Sequence, residues 1–290
     1  MTDPSSQNLT VTVVGAAGKM GLRVGANLAK SPYTVRYCEN SERGQQLLAD
    51  LGREVVDTAT AVKDSDVVIL AVPDVVLGAV SEAVVPLMQE GSTLLTLDPA
   101  AAYAGLLAER PGVTQAVAHP CHPSIFLERT TPEEWADNFG GAAARQDVVA
   151  AVETDEEAMK LRAEAVIRTI YAPVGDVHWV TVKQLAYLEP TLVETVACMI
   201  GALLKEALHE TVATVGVPEA AATAMLHGHV QIALTNTLRG SNPFSEGCLV
   251  AMGYGRETIV KEDWKRIFDD DELDRVVARM LKIDAVRQRG

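Results

Sequence analysis

The chain has 290 residues, 48% of them apolar but only 4% aromatic, and a formal net charge of −14. That length holds one large domain or two ordinary ones with an ample core. The acidity argues against non-specific binding to nucleic acid or to anionic membrane surfaces, so an anionic ligand must be met by locally placed basic groups or by a metal.

The first eight residues are polar and carry no basic run, and no apolar stretch is long enough to cross a bilayer. The four cysteines, Cys38, Cys121, Cys198 and Cys248, show neither a C-x-x-C pair nor disulfide-framework spacing. Together these features predict a soluble cytoplasmic protein with free thiols.

A run of β-branched residues over 10–14 reads as a short buried parallel strand, and the apolar periodicity over 20–28 as a helix. Between them stands GAAGKMG, with Gly15, Gly18 and Gly21 at spacing G-x-x-G-x-x-G. Glycine at a strand-to-helix turn lets backbone approach a pyrophosphate, and the helix start offers free N–H donors. The turn, Gly15, Ala16, Ala17, Gly18, Lys19 and Met20, is therefore the candidate cofactor loop. Alanine at position 17 makes it a variant of the usual fingerprint, and a tight turn that binds nothing is the alternative. A second strand over 34–38 ends at Glu39, where an acidic residue accepts hydrogen bonds from the adenosine ribose. A carboxylate there repels a 2′-phosphate and favours NAD over NADP, with Arg36 and Arg43 nearby as a counterweight.

Beyond a helix over 42–51 and a short strand over 54–56, residues 66–72 form the clearest buried strand, stopped by Pro73-Asp74. This places Ala71, Val72 and Pro73 at the carboxyl edge of a parallel sheet, beside the nicotinamide half of a cofactor. Helix over 75–88, strand over 93–97 stopped by Asp98-Pro99, short helix over 104–109 and strand over 113–118 continue the alternation. A doubly wound parallel α/β sheet is the economical fold.

Two histidines, His119 and His122, each precede a proline just beyond that last strand. Proline restricts the preceding residue to extended conformations, so both imidazoles sit on a stiff loop at the mouth of the cleft, as metal ligand, general base or substrate anchor. Cys121 between them is assigned to the core. Residues 130–145 read as a surface excursion, 146–154 as an edge strand, 155–170 as a helix and 176–180 as a last strand. From 181 the chain turns helical, and a long apolar stretch over 182–216 is interrupted by Glu189-Pro190. Proline there kinks or restarts the helix, and since a buried acid is costly without a partner, Glu189 is either a surface acid on an amphipathic helix or a carboxylate that faces the histidine loop across a cleft. His227, His229, Ser245 and Glu246 either line the same cleft or belong to an interface between copies.

GAAGKMG alone resembles dihydrodipicolinate reductases, whose histidine-rich signature and C-terminal half do not fit. As a whole the chain resembles β-hydroxyacid dehydrogenases: a Rossmann-type nucleotide domain over 1–180, then an all-helical substrate and dimerisation domain over 181–290. The closer likeness, carried by GAAGKMG, AVPD (71–74), AHPCHPS (118–124) and YLEPTLVET (187–195), is to the D-apionate oxidoisomerase family. That resemblance implies NAD as cofactor, His119 and Glu189 as ligands of one divalent metal (zinc or magnesium), and a small hydroxy-acid substrate. It implies oxidation to a 2-keto acid followed by an α-ketol rearrangement. Lys183, by analogy with the helix lysine of β-hydroxyacid dehydrogenases, and His122 are the two candidate bases. A homodimer follows by the same analogy. A dehydrogenase without rearrangement and a non-catalytic NAD-binding regulator are the competing readings.

Overall fold

The computed structural model of the protein describes residues 8–287; the reading of the polar N-terminus falls mostly outside them. The described residues form two compact units, one being the chain to Glu189 together with the segment from Asp274, the other Pro190–Leu273.

The first unit is built on a seven-stranded sheet with order β2-β1-β3-β4-β5-β6-β7. Its first half comprises β1 (Thr10–Val14), α1 (Lys19–Leu28), β2 (Thr34–Cys38), α2 (Glu42–Asp50), α3 (Thr58–Ala61), β3 (Val67–Leu70), α4 (Asp74–Val84) and β4 (Thr93–Thr96). α5 (Ala100–Tyr103), β5 (Thr114–Pro120), α6 (Pro132–Ala136), β6 (Gln146–Val152), α7 (Glu157–Ile170), β7 (Val174–Trp179) and α8 (Val182–Ala186) follow. β1 to β5 pair in parallel; β6 runs antiparallel to β5 and parallel to β7. Every residue of β3 and β4 is buried, as continuous apolar or β-branched runs between two helical layers require. Val11, Val13, Ile69 and Leu95 pack against Val24 and Leu28 of α1 and Ile167 and Ile170 of α7 in one core. Each such side chain contributes roughly 1.5–3 kcal/mol of burial.

Several expectations need correction. Residues 54–56 make only a single bridge, Tyr37 to Val55. The helix expected over 104–109 forms earlier, at Ala100–Tyr103, because the Asp98 carboxylate accepts the Ala100 N–H at 2.8 Å and starts it. β6 is not an edge strand: β5 and β7 flank it, and β7 is the edge.

Past α8 the chain widens into a π-helical stretch, Tyr187–Cys198, that contains Pro190. A proline lacks the N–H and clashes with the carbonyl four residues back, so the wider π pitch absorbs it where a kink or restart was expected. Within the second unit, the Thr195 hydroxyl donates to the Pro190 carbonyl at 2.7 Å. α9 (Met199–Ala213), α10 (Glu219–Arg239) and α11 (Glu246–Ile259) complete that unit's long helices, and α12 (Asp270–Leu281) carries the chain back to the first unit. Among the described residues, no helix is long and apolar enough to cross a membrane.

Candidate active site

In a parallel sheet all the strand ends that face one way share an edge, and ligands bind there where the strand order reverses. Here the reversal lies between β1 and β3. A cavity of about 340 Å³ opens at that edge. It is lined by Gly18, Lys19 and Met20 after β1, by 70–74 after β3, by Leu97 and Asp98 after β4, by His119, Pro120 and His122 around the end of β5, and by Phe139.

The turn after β1 is shaped for close approach. Gly15 has φ +81°, and a Cβ there would stand 2.7 Å from Val72 Cγ1 and 2.8 Å from the Ala71 oxygen. The Gly15 and Ala16 N–H groups both donate to the Cys38 carbonyl, at 3.0 and 3.1 Å, which fixes the turn against the end of β2. α1 then begins at Gly18 with no side-chain cap and no acid in its first turn. Its leading N–H donors therefore have no competing anion from their own helix, which fits a pyrophosphate.

Glu39 sits at the next strand end. Its carboxylate accepts the Ser41 N–H and hydroxyl, both at 2.9 Å, and the Ala17 N–H at 3.3 Å. Desolvation pushes its pKa up, but these hydrogen bonds outweigh it and hold the carboxyl below the usual glutamate value. Arg36, the nearby counterweight, is bound to both oxygens of Asp64 and to the Ala61 carbonyl at 2.8 Å. Arg43 is exposed.

Three donors converge where Asp98 and His119 line the cavity. One ligand atom each from Asp98, His119 and Glu189 lies within 4.8 Å of the other two. His119 belongs to β5 itself, paired with Val149, not to a loop beyond the strand. Its Nδ1 lies 3.1 Å from the Leu97 carbonyl. A carbonyl only accepts, so Nδ1 carries the proton and the Nε2 lone pair faces outward. That Nε2 is 3.7 Å from Glu189 Oε1. Burial drives the His119 pKa down to about 4, assisted by His122 and opposed by the Leu97 hydrogen bond. The contact has ion-pair distance but not ion-pair charge: a neutral imidazole and a buried carboxylate turn lone pairs toward one region. One imidazole and two carboxylates on a common point fit a divalent cation. Asp98 escaped the sequence reading, which took it only as the stop of β4. An acid directly after a parallel strand, at the edge where ligands bind, was the available signal.

His122 also lines the cavity but departs from expectation. Although it precedes Pro123, it has φ +59°, the left-handed region, instead of an extended conformation. Its Nδ1 donates to the Phe139 carbonyl at 2.7 Å, and its ring packs on the Phe139 ring with centroids 4.4 Å apart. With Nδ1 protonated, Nε2 is left as an acceptor. Cys121, expected in the core, is exposed, because the chain leaves the sheet at Pro120. Lys183 lies in the first turn of α8, exposed and outside the residues that line the cavity. His227, His229, Ser245 and Glu246 all belong to the second unit.

The region over 127–281 matches the family described as phosphogluconate dehydrogenase (decarboxylating) C-term. Residues 6–124 match acetohydroxy acid isomeroreductase, NADPH-binding domain. A D-apionate oxidoisomerase of Pectobacterium atrosepticum is 61% identical over 96% of this chain and 98% of its own length. Another from Cupriavidus necator is 42% identical over 93% of this chain and 98% of its own. Among solved structures, a semialdehyde dehydrogenase NAD-binding protein from Cupriavidus necator, in complex with calcium and NAD, superimposes with a TM-score of 0.89 at 41% identity, covering 94% of this chain and 100% of its own. On this likeness across nearly its whole length, the chain belongs to the D-apionate oxidoisomerase family and is an oxidoreductase.

Proposed function

We propose that the protein is an NAD-dependent, metal-assisted oxidoisomerase of a branched sugar acid of the D-apionate type. The observation that carries the reading is the convergence of Asp98, His119 and Glu189, the first two of which line one cavity together with Gly18, Lys19 and Met20 of the nucleotide turn. When bound, NAD takes up a hydride, and a divalent cation acts as a Lewis acid toward vicinal oxygens. Asp98, His119 and Glu189 would hold the cation and leave positions open for a chelating substrate.

The chain's own contribution is proton handling and orientation. His122 Nε2 accepts the proton of the secondary hydroxyl as the C2 hydrogen leaves with its electron pair, giving a 2-keto acid. His122 then passes that proton to solvent, which frees Nε2 for the second stage. There the tertiary hydroxyl on C3 loses its proton to Nε2, and as C3 becomes a carbonyl a carbon substituent moves from C3 to C2 with its bonding pair. The former C2 carbonyl oxygen takes the proton back from His122, so the rearrangement itself releases none. The apolar wall at Leu70, Val72 and Leu77 limits water around the reacting carbons. The test is NADH formation from D-apionate and NAD, with and without chelator. Turnover abolished by chelator and restored by a divalent cation is expected; chelator-insensitive turnover would contradict the metal's part.

NAD is the preferred nucleotide in this reading, because an ionised Glu39 opposes a 2′-phosphate and Arg36 is already held by Asp64. Glu39→Gln should cut the preference for NAD over NADP, measured as the ratio of kcat/KM, by about tenfold (roughly 1.4 kcal/mol). In the wild type the preference should persist across neutral pH, since a depressed pKa keeps the charge there. A ratio that does not move would remove Glu39 from the discrimination.

The homodimer is also proposed. In the second unit only Pro190, Thr191, Ala222 and Leu273 are buried among the described residues. Leu238, Leu249, Val250, Tyr254 and Ile259 are all more than half exposed there. A helical unit with so little interior does not support itself in water, and an apolar surface of this kind is covered in an assembly. Sedimentation equilibrium should give a mass of two chains, and Leu249→Asp with Val250→Asp should shift it toward one; a wild-type monomer would contradict the dimer. Free Cys38, Cys121, Cys198 and Cys248 suit a reducing compartment, so the cytoplasm is proposed as the location.

A further inference from the structure

The excursion between α6 and β6 holds a buried acid that the reaction as described does not use. Asp137 is 9% exposed. Its Oδ1 accepts the Gly140 N–H at 2.9 Å, and its Oδ2 accepts those of Ala142, Ala143 and Ala144 at 3.1, 2.8 and 3.0 Å. Desolvation raises its pKa, but four amide donors outweigh that and hold it below the usual aspartate value. Gly140 and Gly141, with φ +78° and +85°, let the backbone curl so that these amides converge. The curl is also tied to α1: Arg23 Nη2 donates to the Gly140 carbonyl at 3.2 Å and Asn27 Nδ2 to that of Gly141 at 3.0 Å.

Phe139 stands at the centre of this clasp. Its carbonyl accepts from His122 Nδ1, its ring packs on the imidazole, and the Arg23 guanidinium and Lys19 ammonium lie 3.8 and 4.9 Å from its ring centroid. His122 itself is a pre-proline residue at φ +59°. A conformation of that kind is strained and persists only where the surroundings impose it. Here the imposing contacts are those of Phe139, and the clasp that places Phe139 is organised by Asp137.

We infer that Asp137 is a positioning residue: by gathering four amides it fixes the Phe139 carbonyl and ring, which set the tautomer and direction of His122 and link them to the cofactor helix α1. The inference rests on the reading of His122 as the base. A loop that merely covers the sheet would need neither the short bond to Nδ1 nor the cationic face on Phe139.

The test is a double-mutant cycle on kcat with Asp137→Ala and His122→Ala, accompanied by ¹⁵N–¹H correlation of the histidine rings. Asp137→Ala should lower kcat about tenfold to a hundredfold while the Kd for NAD stays within about twofold, and should have little further effect in the His122→Ala background. His122 should report the Nδ1–H tautomer in the wild type and a mixture in Asp137→Ala. If that variant does not fold, Asp137→Asn serves the same cycle: it keeps an acceptor for Ala142 to Ala144 and loses the one for Gly140. Additive losses in the two backgrounds, or an unchanged tautomer, would overturn the inference while leaving the base in place. A fully active His122→Ala would instead bring down the reading beneath it, and the inference with it.

Discussion

Glu189→Gln lowers kcat by about 10³-fold or more and weakens divalent-cation binding, with the affinity for NAD unchanged. The substitution keeps the shape of the side chain but replaces a carboxylate oxygen with an amide that can present an N–H to the point shared with His119 and Asp98. A cation held there would contribute several kcal/mol to polarising the substrate's oxygens, and each 1.36 kcal/mol is a tenfold change in rate. His119→Ala should fall in the same range, since it removes the one nitrogen donor whose lone pair is held outward by the Leu97 hydrogen bond. The nucleotide turn is built from other strand ends, so isothermal titration with NAD separates the two effects. Activity within tenfold of the wild type for Glu189→Gln would contradict the metal assignment.

His122→Ala lowers kcat by about 10²–10⁴-fold, the range for loss of a positioned general base, with partial rescue by imidazole in the medium. Lys183→Ala should stay within about threefold, because an exposed lysine in the first turn of α8 has no place within proton-transfer reach of the substrate in this reading. The pair is decisive in one assay series. Loss on Lys183→Ala with retention on His122→Ala would move the base to α8. The structural asymmetry behind the expectation is plain: His122 lines the cavity with Nε2 left as an acceptor, whereas Lys183 is exposed in the first turn of its helix.

The nucleotide half was legible because its signals are local. β1 forms over the β-branched run and β2 over the expected residues 34–38, and the turn between β1 and α1 needs glycine at position 15 for a reason visible in a single backbone angle. Asp98 was not legible in the same way. Its role depends on β4 and β5 lying side by side in a long-range pairing that sets Thr96, the end of β4, opposite Val117, so that Asp98 and His119 each follow two residues on. His122 was found but its conformation was misjudged, because the steric rule for a residue before proline is a local tendency and the hold of Phe139, seventeen residues on, overrides it. The proline at 190 shows the same limit: its missing N–H is readable, but the π-helical answer to it is not. Asp137 was hidden inside a polar, glycine-containing stretch whose composition resembles any surface loop, and only the convergence of four amides on one carboxylate distinguishes it.

In the proposed function one site both oxidises the substrate and moves a carbon. This is tested most directly by ¹³C NMR of the product formed from uniformly ¹³C-labelled D-apionate, with NAD and a divalent cation. The account predicts one NADH per product, the ketone signal on the former C3, and a new one-bond coupling between C2 and the migrated carbon. A product with its ketone at C2 and its original carbon connectivity would make the protein a dehydrogenase and contradict the rearrangement.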